Sequence, residues 1–203
     1  MALRLAEAAG ALPSGWRFVV FDGWRPLAVQ QALYDEYRAE LRARWPAASD
    51  AWLDAETARY VSRPSADPAR PAPHLTGGAV DLGLRDAAEQ LVPMGTPFDA
   101  CDPASATDHF ERRLTAGEVL TPAEVAALRH RRLLYHALTA VGFSSYGEEW
   151  WHFECDRTRY GPVLTLADGL QGMPPRPWAG ACWYRSADGL WCLPGLPTPE
   201  RPG

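Results

Sequence analysis

The segment from residue 74 to residue 81 carries two side chains that could bind a metal ion. His74 and Asp81 stand in the pattern His-x-x-Gly-x-Ala-x-Asp. If this segment enters a strand, alternation places Asp81 on the same face as Gly77 and Ala79, whose small side chains leave room for an ion. A catalytic zinc site uses three ligands of the His, Asp or Glu type and keeps one position open. We therefore predict that His74 and Asp81 are two zinc ligands.

The run Glu149-Trp150-Trp151-His152 offers the third ligand and a carboxylate beside it. Zinc lowers the pKa of water to about 7, and a neighbouring carboxylate can take the proton and pass it to a leaving amine. His152 is therefore the predicted third ligand, and Glu149 is the predicted general base. Residues 149 and 152 of a regular strand point to opposite faces, so Glu149 must lie at the start of the strand or in a bulge. Glu148 is the alternative base.

The composition is typical of a globular protein that does not act on nucleic acid. The chain has 203 residues, 47% hydrophobic and 22% charged, and a net charge of -5. An acidic protein without a basic stripe is a poor partner for nucleic acid or an anionic membrane. No apolar run approaches the roughly 20 residues of a membrane-spanning helix. At the N-terminus, the acidic Glu7 stands where a signal peptide would be purely apolar. The sequence therefore predicts a cytoplasmic protein with no membrane span.

The first half of the chain alternates helical patterns with short apolar runs. Residues 3–12 predict a helix, residues 16–21 a buried strand, and the stretch after Pro26 a helix with Leu33, Tyr37 and Leu41 on one face. A further helix is predicted from Asp50 to about residue 61, with a cap at residue 49 or 50. Residues 62–73 contain too many prolines for a helix or a central strand and predict a loop that leads to the first ligand.

The second half supplies the strands on which the candidate ligands lie. Residues 77–84 alternate, with Val80, Leu82 and Leu84 on the face predicted to pack inward. The sequence 121–124 is a capping box that opens a helix ending at Gly142, and residues 143–146 and 150–154 predict short strands. Residues 91–117 show turn chemistry and little periodicity. The predicted fold class is α+β: a small, mainly antiparallel sheet that carries the zinc site, with helices packed on one face.

The chain changes character after Tyr160. Residues 161–203 are rich in Pro, Gly and Trp and lack periodicity, so we predict a domain at 1–160 followed by a C-terminal extension. The four cysteines include no Cys-x-x-Cys pair, which argues against a zinc ribbon or a redox motif. Free thiols are expected, and a bridge between Cys182 and Cys192 is the alternative for an oxidising compartment.

Four segments taken together resemble the zinc metallopeptidases of the D-alanyl-D-alanine dipeptidase type. They are DGWRP at 22–26, HxxGxAxD at 74–81, MGTPFD at 94–99 and EWWHF at 149–153, in the order of the family. The resemblance implies one zinc ion per chain, held by His74, Asp81 and His152, with Glu149 as general base and acid.

The same resemblance gives roles to two further residues. Arg25 would stabilise the tetrahedral oxyanion, and a fixed guanidinium beside zinc suits that task. Asp99 corresponds to the acid that receives the free amino group of the substrate, although an apolar turn would explain residues 94–98 equally well. The small partner implied is the D-Ala-D-Ala dipeptide or a similar D-amino dipeptide.

The sequence departs from the family pattern at three places. Ala72 stands where the family has Ser, the chain as given starts at a helix that an N-terminal segment precedes in relatives, and it continues farther after His152. We therefore expect an open apolar cleft beside the zinc, with Trp24, Trp150 and Trp151 partly exposed. Alternative functions are a D,D-carboxypeptidase or muramoyl-peptide endopeptidase acting on cell-wall peptides, and a zinc-binding module without activity.

Overall fold

A computed structural model describes residues 1–67 and 70–155, together with two short strands farther along the chain. The predicted extension at 161–203 and the cysteine at position 182 lie mostly or wholly outside the described residues. Cys101 and Cys155 are free thiols, as expected from the sequence.

The described part of the chain contains five α-helices and six strands. The five α-helices are α1 (Ala2–Ala9), α2 (Leu27–Arg44), α3 (Asp50–Tyr60), α4 (His109–Thr115) and α5 (Pro122–Thr139). The strands are β1 (Arg17–Asp22), β2 (Ala79–Arg85), β3 (Phe143–Ser145), β4 (His152–Cys155), β5 (Tyr184–Arg185) and β6 (Trp191–Cys192). Short 3-10 helices occupy Pro73–Thr76 and Pro103–Ser105.

A four-stranded sheet in the order β1-β2-β4-β3 forms the centre of the domain, and all its pairs are antiparallel. The pairing of β1 with β2 is regular up to Val20 opposite Leu82, and a register shift then brings Asp22 opposite Asp81. In the other direction β4 pairs with β2 so that His152 lies opposite Asp81. The predicted α+β class with a small antiparallel sheet is confirmed.

The main core lies between this sheet and the helices α1 and α5. Val80, Leu82 and Leu84 of β2 pack with Leu134 and Leu138 of α5, and all five are at most 1% exposed. Fully burying an aliphatic side chain contributes about 1.5–3 kcal/mol, so this face of β2 anchors the sheet to α5. The alternation predicted from the sequence identifies the correct face.

The opposite face of β2 is covered at Gly83. A Cβ at Gly83 would lie 2.9 Å from the Phe21 ring and 3.8 Å from the Trp150 ring, so the glycine lets these rings approach the strand. The small-residue face is therefore open to the cleft at Ala79 and Asp81, both of which line it, while Gly83 is covered.

The helix boundaries follow local capping chemistry. The Ser49 hydroxyl accepts from the backbone of Trp52 at the start of α3, and Thr121 and Glu124 form the complete capping box of α5. Pro26 is the N-cap of α2, which starts at Leu27. Helix α4 was not predicted, because seven residues give too few turns for a clear helical period.

Helices α2 and α3 pair with each other and form the wall of the cleft that faces the ligand-bearing strands. The Arg38 side chain of α2 donates to Asp54 (2.7 Å) and Asp50 (2.8 Å) of α3. Among the residues that the structure describes, no helix is both long enough and apolar enough to cross a membrane.

Candidate metal centre

The three predicted ligands meet at one buried point. His74 Nε2 lies 3.2 Å from His152 Nδ1, His152 Nδ1 lies 3.0 Å from Asp81 Oδ1, and His74 Nε2 lies 3.3 Å from Asp81 Oδ2. The three residues are only 3–7% exposed. They come from a 3-10 helix, from β2 and from β4, so the sheet brings together residues that are far apart in the chain. This group can hold a metal ion.

The donor set fits Zn²⁺ in chemistry and in size. Zinc takes imidazole nitrogen and carboxylate oxygen at about 2.0–2.2 Å in a tetrahedron, which places two donors about 3.3–3.6 Å apart. The spacings of 3.0–3.3 Å found here are slightly shorter. Two imidazoles and one carboxylate leave the fourth position for a reacting group, as catalytic zinc sites do.

His74 is held by the backbone around it. Its Nδ1 donates to the carbonyl of Gly23 (2.7 Å), which leaves the lone pair of Nε2 for a metal. The 3-10 helix Pro73–Thr76 that carries His74 ends at Gly77, whose φ of +70° lies in the left-handed region. This conformation favours glycine and turns the chain directly into β2. The glycine of the motif therefore serves the chain reversal between the first two ligands.

Glu154 contacts the second imidazole, and this residue was not predicted from the sequence to have a role. His152 Nε2 lies 3.3 Å from Glu154 Oε1, so the ring can donate there and present Nδ1 to the metal. Residues 152 and 154 lie on the same face of β4, since their separation is two. The spacing His-x-Glu on a predicted strand was a signal that could have identified this pair.

The site favours positive charge at its centre. Burial acts to raise the pKa of Asp81, but the hydrogen bonds from His152 and His74 hold it well below its usual range. Burial likewise acts to lower the pKa of His152, but hydrogen bonds to Asp81 and Glu154 raise it well above its usual value. The Asp81 carboxylate, together with Glu154 acting through the His152 ring, thus favours a cation at the donor group.

Glu149 lies in the turn before β4, which starts at His152. Residue 149 precedes the regular strand, so Glu149 and His152 can face the same point although alternation within a strand would place them on opposite faces. Glu149 Oε2 lies 4.0 Å from the metal-facing Nδ1 of His152. Burial raises the pKa of Glu149 to about 8, against the lowering effect of His152. A carboxylate with a pKa near neutrality suits a group that takes and returns a proton.

The alternative base, Glu148, has a different environment. Its Oε2 accepts from Nε (3.0 Å) and Nη2 (2.7 Å) of Arg59, so the carboxylate is held in an ion pair with α3. The Tyr146 hydroxyl donates to the Arg59 carbonyl (2.7 Å) and fastens the same contact. The geometry therefore favours Glu149 over Glu148 as the base.

Arg25 contacts the donor group through Asp81 and is held by Asp22 and Gln30, two residues that were not predicted from the sequence to have a role. Its Nε donates to Asp22 (2.7 Å), its Nη1 donates to Gln30 (2.9 Å), and its Nη2 lies 3.4 Å from Asp81 Oδ2. Gln30 is 1% exposed and in turn donates to the Ser62 carbonyl (2.7 Å). The guanidinium is thus fixed next to the metal-binding carboxylate.

A cleft of about 1230 Å³ opens beside the donor group. Its lining includes Asp99, which is exposed to it, and α2 residues from Gln30 to Arg44. Trp24 is 64% exposed, as expected, but the expectation for the other two tryptophans was wrong, since Trp150 is 4% and Trp151 2% exposed. The rings of Trp150 and Trp151 belong to the main core, where apolar packing keeps them from solvent.

Three known proteins are similar in sequence to this chain. It is 30% identical over 145 residues to a D-alanyl-D-alanine dipeptidase of Synechocystis sp., covering 68% of this chain and 59% of the relative. It is also 30% identical over 151 residues to the Escherichia coli D-alanyl-D-alanine dipeptidase, covering 74% and 61%. The Enterococcus faecium D-alanyl-D-alanine dipeptidase is 28% identical over 149 residues, covering 70% and 64%. The chain thus spans about three fifths of the length of these relatives.

The crystal structure of a vancomycin resistance D,D-pentapeptidase in complex with Zn(II) is similar with a TM-score of 0.38 and 20% identity, covering 84% of this chain and 76% of that one. The family model described as D-ala-D-ala dipeptidase matches residues 1–163, which is most of the chain. The resemblance inferred from the four sequence segments is confirmed. The chain belongs to the D-ala-D-ala dipeptidase family of peptidases.

Proposed function

We propose that this protein is a zinc metallopeptidase that hydrolyses D-alanyl-D-alanine or a similar small D-amino dipeptide. One observation carries the proposal: a buried carboxylate and a fixed guanidinium, Glu149 and Arg25, both lie beside the donor group of His74, Asp81 and His152. The names of the relatives, all D-alanyl-D-alanine dipeptidases, support the choice of substrate.

Each of these side chains has a distinct task in the proposed hydrolysis. His74, Asp81 and His152 would hold the zinc ion, which when bound lowers the pKa of water and polarises a carbonyl. Glu149 takes the proton of the attacking water and delivers it to the nitrogen of the leaving amine as the C–N bond breaks. Arg25 donates to the oxygen of the scissile carbonyl as negative charge develops there.

The recognition of a dipeptide needs a group for its free amine. Asp99 supplies a carboxylate on the lining of the same cleft, and an ammonium at that position would gain a charge-assisted hydrogen bond. A substrate with a blocked amino group would lose this contact. We therefore assign to Asp99 the binding of the substrate's amino terminus.

The size of the cleft favours a second candidate, a carboxypeptidase or endopeptidase acting on longer peptides. Its lining follows α2 from Gln30 to Arg44, a span of about 21 Å at about 1.5 Å per residue. An extended dipeptide is only about 7 Å long. A peptide that continues from the amino side of D-Ala-D-Ala would therefore find room.

A direct assay separates these functions. The purified protein, loaded with Zn²⁺, is incubated with D-Ala-D-Ala and, separately, with a longer peptide that ends in D-Ala-D-Ala, and released D-Ala is quantified. The expected result is release from the dipeptide that chelation abolishes and Zn²⁺ restores. Release from the longer peptide alone would favour the carboxypeptidase, and binding of zinc without release from either would leave a binding module.

A further inference from the structure

The loop from Met94 to Thr107 carries Asp99 in an unusual backbone conformation. Asp99 has a φ of +64°, in the left-handed region that side chains other than glycine seldom adopt. Aspartate tolerates this region better than most residues, but the conformation persists only when the surrounding contacts hold it. The contacts that fix the adjoining peptide groups therefore determine where the Asp99 carboxylate lies.

Ser105 makes the central contact of this loop. Its hydroxyl donates to the carbonyl of Ala100 (2.7 Å), the residue directly after Asp99, and the same carbonyl accepts from the backbone of Asp102 (2.8 Å). Ser105 is 0% exposed, so no water replaces the hydroxyl if it is removed without rearrangement. The peptide group between Ala100 and Cys101 is therefore held by two hydrogen bonds to its carbonyl.

The same serine also connects this loop to the turn that carries Glu149. Its Oγ lies 3.1 Å from Thr96 Oγ1, which accepts from the indole nitrogen of Trp150 (2.9 Å). The Ser105 carbonyl accepts from the backbone nitrogen of Trp150 (3.0 Å). Since Trp150 directly follows Glu149, one buried residue contacts both segments that carry the candidate acids.

Further bonds make the two segments one unit. The Thr107 hydroxyl donates to the carbonyls of Tyr146 (2.6 Å) and Glu149 (3.1 Å). From α5, the buried guanidinium of Arg131 donates to three carbonyls of the loop, those of residues 94 (2.6 Å), 104 (2.9 Å) and 106 (2.9 Å). These bonds hold both ends of the loop, and Ser105 holds its middle through the Ala100 carbonyl.

We propose that Ser105 is a positioning residue: through the Ala100 carbonyl it keeps the Asp99 carboxylate at the place in the cleft where the substrate's ammonium binds. This assignment rests on the proposed dipeptidase function. Ser105 itself touches no substrate. Without its hydroxyl the Ala100 carbonyl keeps only the bond from the Asp102 backbone, so the segment that follows Asp99 is held less tightly. Asp99 then relaxes towards negative φ, and the carboxylate moves away from the ammonium.

The first test is Ser105→Ala in the zinc-loaded protein. An interaction with the ammonium is present both in the bound substrate and in the transition state, so its loss raises KM and leaves kcat unchanged. We expect KM for D-Ala-D-Ala to rise about tenfold, with kcat within about twofold of wild type. Zinc affinity, measured by competition with a chelator, stays at the wild-type value.

Two further variants separate positioning from general stability. Thr57→Val removes another fully buried hydroxyl, whose bond to the Leu53 carbonyl lies within α3, and it is the matched control for a loss of stability. It lowers Tm without a change in KM. If Ser105→Ala does not fold, Thr96→Val removes the neighbouring hydroxyl with nearly unchanged volume and is expected to raise KM in the same manner.

A double-mutant cycle with Asp99→Asn provides the decisive measurement. If Ser105 acts through Asp99, then Ser105→Ala changes KM by less than about twofold when Asp99 is already Asn. Equal effects of Ser105→Ala in both backgrounds, or an unchanged KM in an active Ser105→Ala protein, would overturn the inference alone. A wild-type protein that does not hydrolyse D-Ala-D-Ala would overturn the proposed function and this inference with it.

Discussion

Replacement of Glu154 tests whether the residue beyond the ligands sets the affinity of the metal centre. His152 can present Nδ1 to a metal only as the tautomer whose Nε2 carries the proton, and Glu154 Oε1 lies 3.3 Å from that nitrogen. Glu154→Leu removes the acceptor, while Glu154→Gln keeps an acceptor without the charge. Both variants retain all three ligands.

The expected magnitude follows from the kind of contact that is lost. Removing a partner that orients a metal-bound histidine costs about 10–100-fold in metal affinity. That range corresponds to about 1.4–2.7 kcal/mol. The Glu154 side chain is 12% exposed, so solvent screens its contact with His152 little. We therefore expect Glu154→Leu to lose zinc affinity near the upper end of this range. The Gln variant belongs near the lower end, because a neutral acceptor is weaker than a carboxylate.

Competition with a chromophoric chelator at neutral pH measures these affinities directly. Glu148→Gln is the matched control, because it makes the same chemical change at a carboxylate that pairs with Arg59 and contacts no ligand. Its zinc affinity should equal that of wild type. If the two Glu154 variants also bind zinc as wild type does, Glu154 does not orient His152 and the reasoning is refuted.

Three further predictions concern the base, the guanidinium and stability. Glu149→Gln should reduce kcat by about 10²–10⁴-fold at unchanged zinc content, whereas Glu148→Gln should leave kcat close to wild type; the reverse pattern in steady-state assays would make Glu148 the base. Arg25→Lys keeps the charge but loses the separate donors that bind Asp22 and Gln30, and we expect kcat to drop about 10²–10³-fold with little change in zinc affinity; kcat equal to wild type would exclude a role at the oxyanion. Burial, followed by the charge of Arg132, lowers the pKa of His136 to about 4 from a usual value of 6.5. The unfolded chain therefore binds the proton first as pH drops from 6.5 to 4, and the free energy of unfolding should decrease across that window by up to about 3 kcal/mol. Urea unfolding at pH 7 and pH 4 should show that the free energy of unfolding of His136→Gln changes with pH by about that amount less than that of wild type. An equal change with pH in variant and wild type would show that this histidine contributes nothing.

Residue types and spacing were sufficient to predict the ligand group because the pattern combines two independent constraints. The small residues between His74 and Asp81 match the phase of a strand, and the acid near His152 matches a proton-transfer role. The structure brings these groups together, and the roles of Glu149, Arg25 and Asp99 stay predictions until the variants are measured. The α+β class followed from the same alternation along β2.

The parts that could not be predicted depend on tertiary contacts. Gln30 has an ordinary local sequence context on α2, and its importance comes from Arg25 and the Ser62 carbonyl, which the fold brings close. The burial of Trp150 depends on its contacts with Thr96 and Ser105, which the chain order does not reveal. The cytoplasmic location and the domain boundary near residue 160 also stay predictions.

The topology of the metal centre makes zinc a part of the folding equilibrium. His74 and His152 are separated by 78 positions in the chain, and they meet only after β2 and β4 have paired. The unfolded chain therefore has no preformed site, and zinc binds almost only to the native state. At a free zinc concentration 1,000 times its Kd, such binding adds about 4 kcal/mol to the free energy of unfolding. The midpoint of thermal denaturation should accordingly rise with the free zinc concentration and fall when a chelator is added.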